Sequence, residues 1–155
     1  MKILIKIILT FILLTGCIST AKLSDFSNTS SKIDFDKLSR EFKLTKTPFW
    51  TSKTSNEYYF EKDVWVVEPK LIETIKGSLE HYNYSILVSN IANQCLIGKR
   101  GMRSNEWSSI TAVYYKILPN KVQVYIITKI TQDFTGGWRE NRAMEVGNLV
   151  ENSIQ

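Results

Sequence analysis

A chain of 155 residues with one histidine has room for one modest domain but lacks the side chains to build a zinc centre. Its 20 basic and 15 acidic side chains give a formal charge of +5, a mild bias toward anionic neighbours that falls well short of a nucleic-acid footprint. The two cysteines, Cys17 and Cys95, lie far apart in sequence and have no second histidine or cysteine near them.

The first stretch in chain order is also the most specific. Lys2 and Lys6 form a short positive segment, residues 7–14 are almost unbroken aliphatic around Phe11, and Thr15-Gly16 leads directly into Cys17. This is the layout of a secretory signal peptide. The apolar run is too short for a membrane span, which needs roughly 20 residues. Leu14-Thr15-Gly16-Cys17 resembles the lipobox of bacterial lipoproteins. The resemblance implies that residues 1–16 are a signal removed before Cys17, whose thiolate takes a diacylglyceryl group through a thioether. In many bacteria the freed amine is acylated as well. Each buried methylene is worth about 0.8 kcal/mol, so two or more chains make an anchor that hardly dissociates.

Ile18 stands where inner-membrane lipoproteins of many Gram-negative bacteria carry Asp, so the resemblance points to the outer membrane, facing the periplasm. Loss of the signal removes Lys2 and Lys6, leaving 18 basic against 15 acidic residues and a net charge of +3. Cys95 is then the one thiol left in an oxidising compartment, and no intramolecular disulfide is expected. Beside Leu96 and Ile97 it reads as a buried, unreactive small hydrophobe.

Residues 17–32 are rich in Ser, Thr, Asn, Ala and Lys, and are expected to be the lipidated Cys and a flexible tether. A single domain over residues 33–155 follows. Phe35, Leu38 and Phe42 recur at helical spacing after Asp34. Thr47-Pro48 ends that helix, and residues 43–62 suit either a loose hairpin or a loop pinned by aromatics. Val64-Trp65-Val66-Val67 has the composition of a short strand. Pro69 suits the first turn of a helix whose apolar face is Leu71, Ile72, Ile75, Leu79 and Tyr82, with Gly77 weakening it.

The period then changes to two. Tyr84, Ile86 and Val88 precede a turn near residues 90–93, and Cys95 and Ile97 follow it. A longer strand spans residues 110–118, Pro119-Asn120 turns the chain, and Val122, Val124, Ile126 and Ile130 alternate with polar neighbours. Beyond Gly136-Gly137, a last helix carries Ala143, Val146, Gly147, Val150 and Ile154 on one stripe, where Gly147 would permit a close approach to the sheet.

Short connections between consecutive strands favour an antiparallel meander, with the helices on one face. The expected fold is α+β: a two-layer sandwich with an antiparallel sheet of about four to five strands and two helices on one face. Over residues 64–154 this element order is similar to that of many small envelope lipoproteins, and loosely to the globular modules of the lipoprotein subunit of the outer-membrane barrel-assembly machinery. The similarity is one of element order alone.

Neither the lone His81, expected at a solvated rim, nor the carboxylates Glu57, Glu61, Asp63 and Glu68, interspersed with basic residues, makes a catalytic or metal constellation. No cofactor and no enzymatic activity are expected. Three places are binding candidates. Lys99 and Arg100, with Arg103, form a basic spot that lacks phosphate-loop spacing. Trp138, Arg139 and Arg142 surround a helix start, where backbone amides favour anions. Tyr125, with Gln123, Ile127, Lys129, Tyr114 and Lys116, would lie on an uncovered sheet face, opposite the core residue Ile126. The functional expectation is a membrane-anchored envelope lipoprotein with a non-catalytic binding domain, an accessory or assembly factor for another envelope protein. The alternative is a periplasmic immunity or inhibitor lipoprotein that blocks a toxin or lytic enzyme.

Overall fold

The computed structural model describes residues 21–45, 49–52, 55–102, 108–132 and 141–154. The lipobox with Cys17, and Arg103, Gly136, Gly137, Trp138 and Arg139, lie outside the described residues. In chain order the elements are helix α1 (Phe35–Thr45), strands β1 (Phe49–Ser52) and β2 (Ser55–Lys62), and helix α2 (Glu68–His81). Strands β3 (Ser85–Asn90), β4 (Cys95–Arg100), β5 (Ser108–Leu118) and β6 (Lys121–Gln132) follow, and helix α3 (Arg142–Ser153) is the last element described. One six-stranded antiparallel sheet runs in the order β1-β2-β6-β5-β4-β3, so β3 to β6 form the expected meander and the β1–β2 hairpin adds onto β6. The fold is an α+β sandwich.

Local chemistry accounts for most boundaries. Pro69 sits in the first turn of α2, where its missing N–H costs nothing. Asn83, at φ 63, closes that helix in a left-handed cap, with Tyr84 N–H donating to Leu79 O at 3.0 Å. Asn141 caps α3 by accepting from Met144 N–H at 3.1 Å, and buried Asn56 on β2 accepts from Ala143 N–H at 3.0 Å.

Three expectations are corrected. Residues 64–67 alternate inward and outward as a strand would, yet they lie outside the sheet. The strands come instead from the hairpin in residues 49–62, which raises the total to six. The second sheet face is not open. The stretch expected to be a tether runs along it from residue 21, and α1 continues that cover over β2.

Ala21 N–H donates to Ile130 O at 3.1 Å, Ser27 O accepts from the Tyr114 hydroxyl at 2.8 Å, and Ser30 N–H donates to Asn93 O at 2.9 Å. Phe26 and Phe35 pack with Tyr59, Cys95, Ile97, Ile110, Ala112, Tyr114 and Tyr125 beneath this strap. Tyr125 is therefore only 8% exposed, stacked 6.0 Å from the Tyr114 ring. Its assignment to the face away from α2 and α3 holds. Its assignment to an open binding surface does not.

The helix face holds the larger core, in which Leu71, Ile75 and Leu79 of α2 and Val146 and Val150 of α3 meet Val113, Tyr115, Val122, Val124 and Ile126. Gly147 has the expected role. A Cβ there would collide with Cδ1 and Cε1 of the Tyr58 ring, whereas one at Gly77 meets nothing within 4 Å. Gly147→Ala should therefore lower stability by about 1–3 kcal/mol through overpacking. Gly77→Ala should raise it by up to about 1 kcal/mol through helix propensity. Chemical denaturation of the pair measures both signs. In the same assay, Tyr125→Ala should cost about 3 kcal/mol or more, as truncation of a buried aromatic does.

Candidate functional site

The strap and the β2–α2 connection divide the domain into two ends. Along β6, Ile130 receives Ala21 at one end and Val122 pairs with Lys62 near the other. The eight residue steps from Val122 to Ile130 span about 27 Å at the usual strand rise. Residues 63–67 leave the sheet at the second end, which is distal to the incoming chain.

At this distal end Val64 and Val66 turn into the helix-face core, so Trp65 and Val67 point to solvent. Trp65 is 74% exposed, more than any other large hydrophobic residue described. The loop is nonetheless held on both sides. The Lys62 ammonium donates to Glu151 O at 2.8 Å and Ile154 O at 2.5 Å, and the Tyr115 hydroxyl donates to Glu68 at 3.0 Å. An aromatic ring displayed on a pinned loop contributes contact area without the entropy cost of ordering a mobile segment.

Beside the loop, Glu61 collects the hydroxyls of Tyr59 (3.2 Å) and Ser39 (3.1 Å), the Lys121 ammonium (3.4 Å) and Gln123 Nε2 (3.4 Å). This cluster fastens α1 to the sheet. Glu61 and Glu68 are thus engaged internally and are not part of a solvated charged surface.

The nucleophilic and basic candidates are accounted for in the same way. Burial pushes the Cys95 thiol up to about 11, and Sγ lies 3.6 Å from Ser27 O under the strap. His81 is exposed at the end of α2, edge-on to the Tyr82 ring. Arg142 spans two helices: Nη1 meets Glu145 at 2.6 Å and the guanidinium lies over the Tyr82 ring at 4.9 Å. At the start of α3 the Ala143 and Met144 amides are taken by Asn56 and Asn141, and the other residues of the expected anion site, Gly136-Gly137-Trp138-Arg139, lie outside the described residues.

The basic spot also separates. Lys99 is exposed, whereas Arg100, its neighbour on β4, is 4% exposed on the opposite, helix-facing side with Tyr84. Gly98 is there for packing: an added Cβ would stand 3.0 Å from Tyr84 Cβ. Of the described candidate residues, Lys99 is exposed, Lys116, Ile127, Lys129 and Arg142 are half-buried, and Tyr114, Gln123, Tyr125 and Arg100 are buried. Trp65 and Val67 are not marked by the sequence as surface residues, because four apolar residues in a row have the composition of a paired strand. Their alternation puts Trp65 on the side away from Val64 and Val66, but nothing local says which side meets water.

Compared with known proteins, the chain matches no family model, and no curated protein is significantly similar to it.

The buried hydroxyls and thiol have a measurable consequence. Burial, followed by the Glu61 charge, pushes the Tyr59 hydroxyl up to about 12. Burial is also the first cause of the upward shifts at Tyr58, Tyr114, Tyr115 and Tyr125. Unfolded, the thiol ionises near 9.0 and the phenols near 10.0. The stability gained by keeping these groups neutral is therefore complete below pH 9 and is lost as pH rises through the folded values. Urea midpoints should fall between pH 9 and pH 11, and Cys95→Ala should flatten the start of that fall.

Proposed function

We propose that the protein is a lipid-anchored envelope lipoprotein whose domain is a non-catalytic binding module, acting as an accessory or assembly factor for another envelope protein. Its address by this reading is the periplasmic face of the outer membrane. The observation that carries the binding role is Trp65, 74% exposed on a pinned loop at the end of the sheet away from the incoming chain. A tryptophan in that setting has the character of an interface hot spot, and a domain fastened at one end naturally meets its partner with the other. Glu61 and Glu68 accept hydrogen bonds from tyrosine hydroxyls and the Cys95 thiol is buried, which supports binding over catalysis at these groups.

Two experiments test the two halves of the proposal. Wild-type protein should take up a fatty-acid probe and Cys17→Ser should not; wild-type protein that stays unlabelled defeats the anchor. A photo-crosslinker at position 65 should trap a discrete partner in intact cells, whereas one at the exposed α2 position 73 should not. Capture of a toxin or lytic enzyme at position 65 would identify an inhibitor lipoprotein instead. Trp65→Ala should change stability by no more than about 0.5 kcal/mol, as exposed substitutions do. It should weaken partner binding by about tenfold or more, the loss of a hot spot.

A further inference from the structure

We infer that the end of the domain where the chain enters is a docking surface for anionic phospholipid headgroups, so that the domain rests on its own bilayer with Trp65 turned away. The inference rests on the anchor reading of Cys17. Ala21 is four residues beyond Cys17, and its N–H is bonded to Ile130 O on β6. Four residues fully extended reach at most about 14 Å. A lipid on Cys17 therefore keeps this end of the sheet within about 14 Å of the interface, whatever path the connecting residues take.

The surface at this end has the composition of a headgroup contact. An open cavity of about 350 Å³ is lined by Lys22, Leu23, Leu87 and Lys99, with Ser108 and Thr131 at its base. Leu23 and Leu87 are both exposed, Leu87 by 48%, where β3 bulges between Ile86 and Val88. Met102, just beyond β4 at the same end, is also exposed. Lysines beside exposed leucines match the boundary between phosphate and acyl chain: the ammonium reaches the anionic layer while the stem and the leucines meet its apolar side. Each lysine near an anionic leaflet adds about fivefold to the affinity. With the lipid already inserted, contacts this weak are enough to orient the domain, because the second contact forms at high effective concentration.

The test uses the mature lipidated protein in vesicles of phosphatidylcholine alone, or of phosphatidylcholine and phosphatidylglycerol in equal parts. Brief treatment with a water-soluble amine reagent, read by mass spectrometry, reports each lysine. Lys22 and Lys99 should lose about fivefold in reactivity in the anionic vesicles. Lys70, at the start of α2 near the distal end, should be unchanged. Equal reactivity of all three in both vesicles overturns the inference. The mass of the N-terminal peptide separates the causes: a lipidated peptide with unprotected lysines defeats the docking surface alone, whereas an unlipidated one defeats the anchor and this inference together.

A second readout does not depend on lysine chemistry. A polarity-sensitive dye on Leu87→Cys should shift to the blue in anionic vesicles, and Lys22→Gln with Lys99→Gln should abolish the shift. A shift that persists in that double variant overturns the role of the lysines. Cys95, buried under the strap, does not compete for the dye.

Discussion

Residues 108–115 of β5 are buried without a break, and on the adjacent strand residues 122–126 are buried as well. A strand pair buried on both sides cannot sit at the surface of a two-layer fold; it requires cover above and below. One cover comes from α2 and α3. The other is built from the segment before α1 and the start of that helix, whose Phe26 and Phe35 close over Tyr59, Tyr114 and Tyr125. Each hydroxyl buried there then needs a partner, and the strap supplies one: Ser27 O accepts from Tyr114. Leaving such a group unpaired costs about 1–3 kcal/mol. Covering the aromatic row and satisfying its polar ends are thus the same structural act.

That cover also gives the molecule its polarity. The strap is tied to β6 at Ala21 and to the β3–β4 turn at Ser30, so it climbs the sheet from one end to the other. Any tether to a membrane is consequently short, and the chain enters at one defined edge of the domain. The β2–α2 connection emerges at the other end, with Val64 and Val66 drawn inward and Trp65 left outside. The end with Ala21 carries exposed lysines and leucines and the distal end an exposed tryptophan, so the two ends differ in chemistry as the proposed anchored module would require.

Periodicity made much of this legible. The alternation of Val122, Val124 and Ile126, the helical spacing of Leu71, Ile75 and Leu79, and the stripe through Ala143, Val146, Gly147 and Val150 each identify an element and the side it turns inward. The same alternation put Tyr125 and Ile126 on opposite faces of β6. Gly147 was legible because a glycine on an apolar helical stripe has few uses besides close approach. The lipobox-like segment, a reading of sequence alone, gives the protein its expected destination.

Exposure was decided by tertiary structure. Periodicity says that two residues face opposite ways, but not what lies against either face; that depends on segments distant in sequence. A Ser- and Asn-rich stretch has too few apolar residues to announce that it packs. Here Phe26 and Phe35, with backbone hydrogen bonds at Ala21 and Ser30, were enough to dock it and to bury Tyr125. Conversely, Val64-Trp65-Val66-Val67 has the composition of a strand, but hydrogen-bonded pairing needs a free neighbouring edge. The β1–β2 hairpin already pairs with β6, and the four residues remain a loop. Local sequence determined the periods and the boundaries, whereas which surfaces met water depended on long-range packing that no local pattern encodes.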